Sequence, residues 1–403
     1  MDSDIATHRQ QPSGRVLPVK GIGALFCLII LLIAGCGITP PVSTTRLQNI
    51  PPLIDDADRA SLVRATQRQL NYLNRLPSDA IVRIQGDTYT IGWLAESLRL
   101  FLDIVSQNPT PEELDATLRS KFLVYQSPGR DGAPAGEMLI TGYYEPSLEG
   151  SLVKRPPFIY PLYAKPDSLC TRNDRATGKL RIGRLDGNGN MLPFWTRGEI
   201  EDQRLLAGNE LVYVKDPLDA YFLHIQGSGR IRLRDGSSRL VLYSGSNGRE
   251  YKSIGKLLVD ENKMPNGAAS MQAIKRYLRE HPDEIRRVLH HNSKFIFFKW
   301  GEKGPIGSVG EVLTPGRSIA IDRDVLPTAV IGYMVTRRPL VDQQGTVTGW
   351  TPMRRFVLPQ DSGTAIKGTG RVDFFWGNGD YEEAAAGQMK EKGQLYFLVK
   401  KRS

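Results

Sequence analysis

The sequence has little cysteine and little histidine, and each scarcity closes off a class of chemistry. Its 403 residues hold three cysteines, Cys27, Cys36 and Cys170. That number supports neither a disulfide framework nor a cysteine metal cluster. Cys170 as a nucleophile would need an activating histidine, and none shares a recognisable motif with it. The five histidines, His8, His224, His281, His290 and His291, show no H-E-x-x-H or comparable metal-ligand spacing. No metal or cofactor is therefore expected. Solenoid-length repeats are lacking, and the longest apolar run is too short to span a bilayer comfortably. With 40% hydrophobic and 24% charged residues, the chain is not disordered or collagen-like and has material for two to three domains. Lys and Arg outnumber Asp and Glu 53 to 43, a net charge of +10. That surplus fits nucleic acid, a membrane surface or an anionic polymer, and composition does not choose among them.

The first residues narrow the choice. Arg9, Arg15 and Lys20 precede an apolar run from Gly21 to Ala34, close to the length of a signal-peptide core. It closes on Leu32-Ile33-Ala34-Gly35-Cys36, which resembles the lipobox of bacterial lipoproteins. Small residues admit the signal peptidase, and the Cys36 thiol would receive the diacylglyceryl group. An uncleaved N-terminal anchor is the alternative. Cleavage would leave residues 36–403 held to a membrane by acyl chains rather than by a helix. In an export compartment nucleic acid is not an expected partner. Gly37, rather than Asp, follows the cysteine, so an outer-membrane lipoprotein facing the periplasm is expected.

Residues 36–55, rich in Pro, Thr and Ser, read as a tether. Leu94, Leu98, Phe101, Leu102 and Val105 lie on one face of a helix, and Thr110-Pro111-Glu112-Glu113 reads as a capped helix start. From Met138 the pattern changes to short strands separated by Gly, Asp and Asn. They are expected at Met138–Tyr144, Pro157–Tyr163, Glu210–Val214, Tyr221–Gln226, Arg230–Leu233 and Arg239–Tyr243. A helical stretch near Ser270–Leu289 is broken at Pro282, and strands return at Ile319–Asp322, Thr328–Val335, Phe356–Leu358 and Leu395–Lys400. The middle is thus all-β, a small barrel or sandwich.

Several motifs offer chemistry. Gly227-Ser228-Gly229 and Gly368-Thr369-Gly370 are fragments of a phosphate loop, but each leads into a strand, so both read as hairpin turns. Ser253-Ile254-Gly255-Lys256 matches the S-x-x-K of serine peptidases, without a K-T-G or S-D-N partner. Gln360-Asp361-Ser362-Gly363-Thr364 resembles an aspartic-protease loop, yet a single-chain enzyme needs two such loops and this chain has one. Asp373 sits among Val372, Phe374 and Phe375. Apolar neighbours, and a second carboxylate such as Asp361, would raise its pKa toward neutrality, as general-acid cleavage of a glycoside requires. The same residues also read as an ordinary strand with one outward aspartate.

The ordered motifs carry a resemblance. Thr141-Gly142-Tyr143-Tyr144-Glu145-Pro146, His224-Ile225-Gln226-Gly227-Ser228-Gly229, Tyr251-Lys252-Ser253-Ile254-Gly255-Lys256, Ser270-Met271-Gln272-Ala273-Ile274, Asp361-Ser362-Gly363-Thr364-Ala365-Ile366-Lys367-Gly368 and Arg371-Val372-Asp373 follow one another. Together, over roughly residues 138–400, they resemble the membrane-bound lytic murein transglycosylase A family. The resemblance implies a mainly β protein with accessory helices. A double-psi β-barrel domain would be built from residues 56–145 and a three-aspartate part at 301–403, with a β domain at 146–300 inserted and the glycan groove between. It places the three aspartates on Asp322, Asp361 and Asp373, the last at the catalytic position, and favours Asp322 over Asp324. It suggests glycan contacts at Tyr144, Gln226 and Lys367. Thr364 departs from the family, which usually has glycine there. The implied reaction cleaves the β-1,4 bond between N-acetylmuramic acid and N-acetylglucosamine and leaves a 1,6-anhydromuramoyl end. A single Asp373 would be acid and then base, because an internal nucleophile removes the need for a second carboxylate. A non-catalytic tether to peptidoglycan and an aspartic-type peptidase are the alternatives.

Overall fold

Helix caps and alternating strands set the local structure. The computed structural model describes residues 45–46, 51–84, 86–173, 180–343 and 345–402. The leader, Cys36 and most of the tether lie outside the described residues. Helix Ile91–Ser106 begins at Thr90, whose hydroxyl accepts from the Trp93 N–H, and buries Leu94, Leu98, Phe101 and Val105 as their spacing predicts. Helix Pro111–Lys121 opens with a capping box between Thr110 and Glu113. The Phe101 ring meets Phe356 at 5.1 Å and Phe122 at 6.4 Å, so the N-terminal helices share one core with the strands beneath them. Full burial of each such side chain contributes about 1.5–3 kcal/mol.

Six strands close into a barrel. Met138–Tyr143 pairs with Arg371–Phe375, which pairs with Ser318–Ala320. Val347–Asp361, Ile331–Val341 and Lys390–Lys400 follow in that order. Lys390–Gly393 then returns to Met138–Thr141 and closes the ring. Two of the pairings are parallel, Ser318–Ala320 with Val347–Asp361 and Arg371–Phe375 with Met138–Tyr143. Parallel neighbours need long crossovers, and the longest one leaves after Tyr143. Arg317 is fully buried beside the barrel and clasps Asp55 with two nitrogens at 2.6 and 2.8 Å, which ties the first described residues to the strands.

Residues 147–301 form a second six-stranded sheet. Its order is Ile296–Gly301, Ser238–Ser246, Gly229–Leu233, Ser147–Ser151, Glu210–Val214 and Tyr160–Tyr163. Its two ends approach at a single parallel bridge, Ala164 to Phe298, which gives a barrel-like curl. The mainly β architecture with accessory helices agrees with expectation.

Three local expectations need correction. The stretch Tyr221–Gln226 is not a strand but the end of helix Pro217–Gln226. Asp216 caps it by accepting from the Leu218 N–H, Pro217 presets the first turn, and Gly227 ends it at a φ of 81°. A short, mostly apolar run carries no period that separates helix from strand. Gly227 is therefore a helix cap and not a turn between strands. Ser253 caps helix Ile254–Asp260 by accepting from the Lys256 N–H, and Lys256 pairs with Asp260. That accounts for the S-x-x-K match. Helix Asp380–Gln388, between the Asp373 strand and the last strand, was not anticipated; its run of alanines gives almost no apolar stripe.

Candidate active site

Strand alternation decides which residues reach the site. Val372 and Phe374 of one strand, Met138 and Ile140 of its neighbour, and Ile319 of the next all enter the barrel core. Their alternates, Arg371, Asp373 and Phe375 with Thr141 and Tyr143, lie on the outer face. Sequence reasoning credited Val372 and Phe374 with shielding Asp373, whereas both side chains point away from it. In register, Asp361, Ala320, Asp373 and Thr141 form one row across four strands. Two interstrand spacings put the Cα atoms of Asp361 and Asp373 about 10 Å apart.

Asp373 is half-buried, and its Oδ1 accepts from the Thr141 hydroxyl at 2.7 Å. Although the residue keeps some accessible surface, burial dominates and pushes its carboxyl up to about 6. Thr141 and the charge of Arg371 oppose that rise, and the charge of Asp361 adds to it. Asp361 ends its strand with three donors, the Ser308 and Ser362 N–H groups on Oδ1 and the Tyr143 hydroxyl on Oδ2, each at 2.9 Å. Burial still lifts its carboxyl above the usual range. Tyr143 is held neutral, because burial and the nearby Asp361 and Asp373 raise its pKa well above normal. Its ring packs on Phe375 at 5.1 Å. Among the described residues no hydrogen bond joins Asp361 to Asp373, so the two do not form the proton-sharing dyad of an aspartic peptidase.

Asp322 lies buried two residues beyond Ala320. It accepts from the Gly368 N–H at 2.8 Å and from Lys367 Nζ at 3.4 Å, so it pins the loop that leads into the Asp373 strand. The groups that shift Asp373 are burial, Thr141, Arg371 and Asp361, and Asp322 is not among them. Asp324 is exposed and touches Lys367.

Comparison with known proteins fits this arrangement. A family model described as the MltA specific insert domain matches residues 139–299, and one described as the 3D domain matches residues 317–399. The chain is 31% identical over 266 residues to the membrane-bound lytic murein transglycosylase A of Escherichia coli. The chain belongs to the membrane-bound lytic murein transglycosylase A family. The aligned stretch covers 65% of this chain and 66% of that relative, about two thirds of its length. Among solved structures, the membrane-bound lytic murein transglycosylase of Agrobacterium tumefaciens is similar at a TM-score of 0.72 and 26% identity, covering 89% of this chain and 98% of that one. MltA of Neisseria gonorrhoeae is similar at 0.67 and 26%, covering 90% and 95%.

In this member of the transglycosylase A family, the expected glycan contacts fall unevenly. Tyr144 is 3% exposed and belongs to the core, so it presents almost no surface to a glycan. It lies opposite Tyr143 in the strand alternation, and Tyr143 is the tyrosine on the site face. Gln226 is half-buried at its helix end and accepts from the Tyr144 N–H at 3.1 Å. Lys367 is exposed beside Asp322 and Asp324. Gly142 admits Trp376, since a Cβ there would sit 2.6 Å from the indole nitrogen. Thr141 and Tyr143 are the site residues that sequence reasoning quoted but did not single out. Among the described residues no helix is long and apolar enough to cross a membrane.

Proposed function

We propose that the chain is a peptidoglycan lytic transglycosylase in which Asp373 alone performs both proton transfers. What carries this is a half-buried carboxyl that burial pushes up to about 6 and that, among the described residues, is hydrogen-bonded to Thr141 and to no other acid. Asp373 donates its proton to the glycosidic oxygen as the bond from C1 of N-acetylmuramic acid breaks. The C6 hydroxyl of the same sugar then attacks C1, and its proton returns to Asp373. The products are a free 4-hydroxyl on N-acetylglucosamine and a 1,6-anhydromuramoyl end. An intramolecular hydroxyl has a high effective molarity, so no water needs activation.

Asp361 has a different part. Its three donors oppose the burial that raises its pKa, and in its ionised form, two strands from Asp373, it is proposed to stabilise the oxocarbenium character of the transition state. Asp322 positions the 367–368 loop. Gln226, Lys367 and, in place of Tyr144, Tyr143 are the proposed sugar contacts. The barrel is proposed to comprise residues 56–145 and 301–403, with residues 146–300 inserted. The chain is further proposed to be an outer-membrane lipoprotein held through Cys36, which labelled-palmitate incorporation by the parent and by Cys36→Ala would test.

The decisive assay digests peptidoglycan with the purified full-length chain and with Asp373→Ala, and reads the products by mass spectrometry. Anhydromuramoyl ends from the parent alone are expected. Reducing ends would mean a hydrolase that uses water and would overturn the mechanism.

A further inference from the structure

One side-chain bond ties the Asp361 loop to the other sheet: Lys294 Nζ donates to the Thr364 hydroxyl at 2.9 Å. Lys294 is part of a built arrangement. Asn292, 1% exposed, accepts through one oxygen from the N–H groups of Lys252 and Lys294, each at 3.2 Å, and its amide donates to the Tyr221 hydroxyl. Asn247, also 1% exposed, accepts from the N–H groups of Arg249 and Phe295 and donates to the carbonyls of Trp195 and Ser293. Two buried amides thus clamp residues 247–252 against 292–295. Arg249 and Lys252 line a cleft of about 380 Å³ between these segments, which reaches Ser293, the neighbour of Lys294.

The charges in this arrangement are unbalanced. The nearby helices pair their cations, as in Arg286 with Asp202, Arg287 with Glu261 and Lys263 with Glu284. Arg249 instead spends Nε on the Phe194 carbonyl, and Lys294 spends its ammonium on a neutral hydroxyl. Glu250 is the one acid of the lining, and Glu199 feels the charge of Arg249 at a distance. Burial lowers the pKa of Lys294. Among the described residues neither cation has a carboxylate partner, and such a partly desolvated cation gains most from an incoming anion.

We propose that this cleft, together with Lys294 beside its Ser293 edge, is a subsite for carboxylates of the peptide attached to the glycan, with Lys252 inside the cleft and Lys294 at its border as the principal ligands. Lys294 bonds Thr364, three residues from Asp361, so a glycan strand lying along the site row brings its peptide toward these cations. The inference rests on the transglycosylase reading of Asp373.

The test uses the full-length chain in detergent and three substrates: peptide-bearing strands, the same strands stripped of peptide by an amidase, and strands with amidated peptide carboxylates. The parent should show kcat/KM about tenfold higher on the first than on the other two, the equivalent of one charge-assisted hydrogen bond. Lys252→Gln and Lys294→Gln should each bring that ratio toward one, mainly through KM. Equal rates on all three strands, or an unchanged ratio in both variants, would overturn the subsite. Binding of the three strands to Asp373→Ala by calorimetry reads the subsite without turnover. Preferential binding there with no anhydro product from the parent would leave the subsite standing and sink the transglycosylase reading, whereas equal binding sinks the subsite.

Discussion

Replacing Thr141 by valine asks how the barrel holds the proton of Asp373. Valine keeps the β-branched shape that suits the strand and deletes the hydroxyl that donates to Asp373 Oδ1 at 2.7 Å. That bond favours the ionised carboxylate and works against the burial that lifts the group to about 6. A hydrogen bond to a charged acceptor is worth about 1.5 kcal/mol at the lower end. At about 1.4 kcal/mol per unit, its loss moves the pKa up by about one unit. In the proposed mechanism the free enzyme must carry the proton, so kcat/KM falls as pH rises through this pKa. The falling limb should lie near 6 in the parent, the value set by burial, and about one unit higher in Thr141→Val. The assay is release of anhydromuropeptides as a function of pH under subsaturating substrate. A limb that stays in place, or moves toward acid, would refute the assignment of either the limb to Asp373 or the tuning to Thr141.

Other perturbations separate the remaining roles. Asp373→Asn should abolish anhydromuropeptide release and yet melt at higher temperature than the parent near neutral pH. The folded pKa is about 6 against an ordinary 3.8, so ionisation destabilises the fold once pH exceeds the ordinary value, and fully above 6. The gain, about 1–2 kcal/mol after allowing for partial exposure, should shrink as melts are repeated toward about pH 4. Asp322→Asn should lower kcat/KM about three- to tenfold by loosening the 367–368 loop, with the pH limb unmoved; a limb displaced by a full unit would give Asp322 a direct part in tuning Asp373. Arg317→Met should cost about 3–5 kcal/mol in urea titrations, because Asp55 loses its buried partner, and Arg317→Met with Asp55→Asn should recover part of that.

Much of the site was legible because its chemistry lies in local motifs. Asp361 and Asp373 were singled out from the residues around them, whereas the barrel's extent was only what the family resemblance implied. The expected helix around Phe101 and the capped start at Thr110 appear as their patterns require. Failures came where a pattern has two solutions. The apolar run before Gly227 fits helix and strand alike until Asp216 caps it. The choice between Tyr143 and Tyr144 turned on which face of a strand is buried, and the adjacent tyrosines do not announce that.

By itself the sequence determined the mainly β character and the family motifs, and it offered the export leader with its Cys36 lipobox and Asp373 as the acid as expectations, since each is written in contiguous residues. Tertiary structure alone decided the rest. It made Ala320 the register partner of both Asp361 and Asp373, two residues separated by a turn and a strand change. It also placed Thr141, more than two hundred positions away in sequence, on the carboxyl that it tunes. The physical reason is that a proton affinity depends on what surrounds a group within a few ångströms. Chain closure into a barrel, through pairing of the last strand with Met138–Thr141, supplies those surroundings from distant segments.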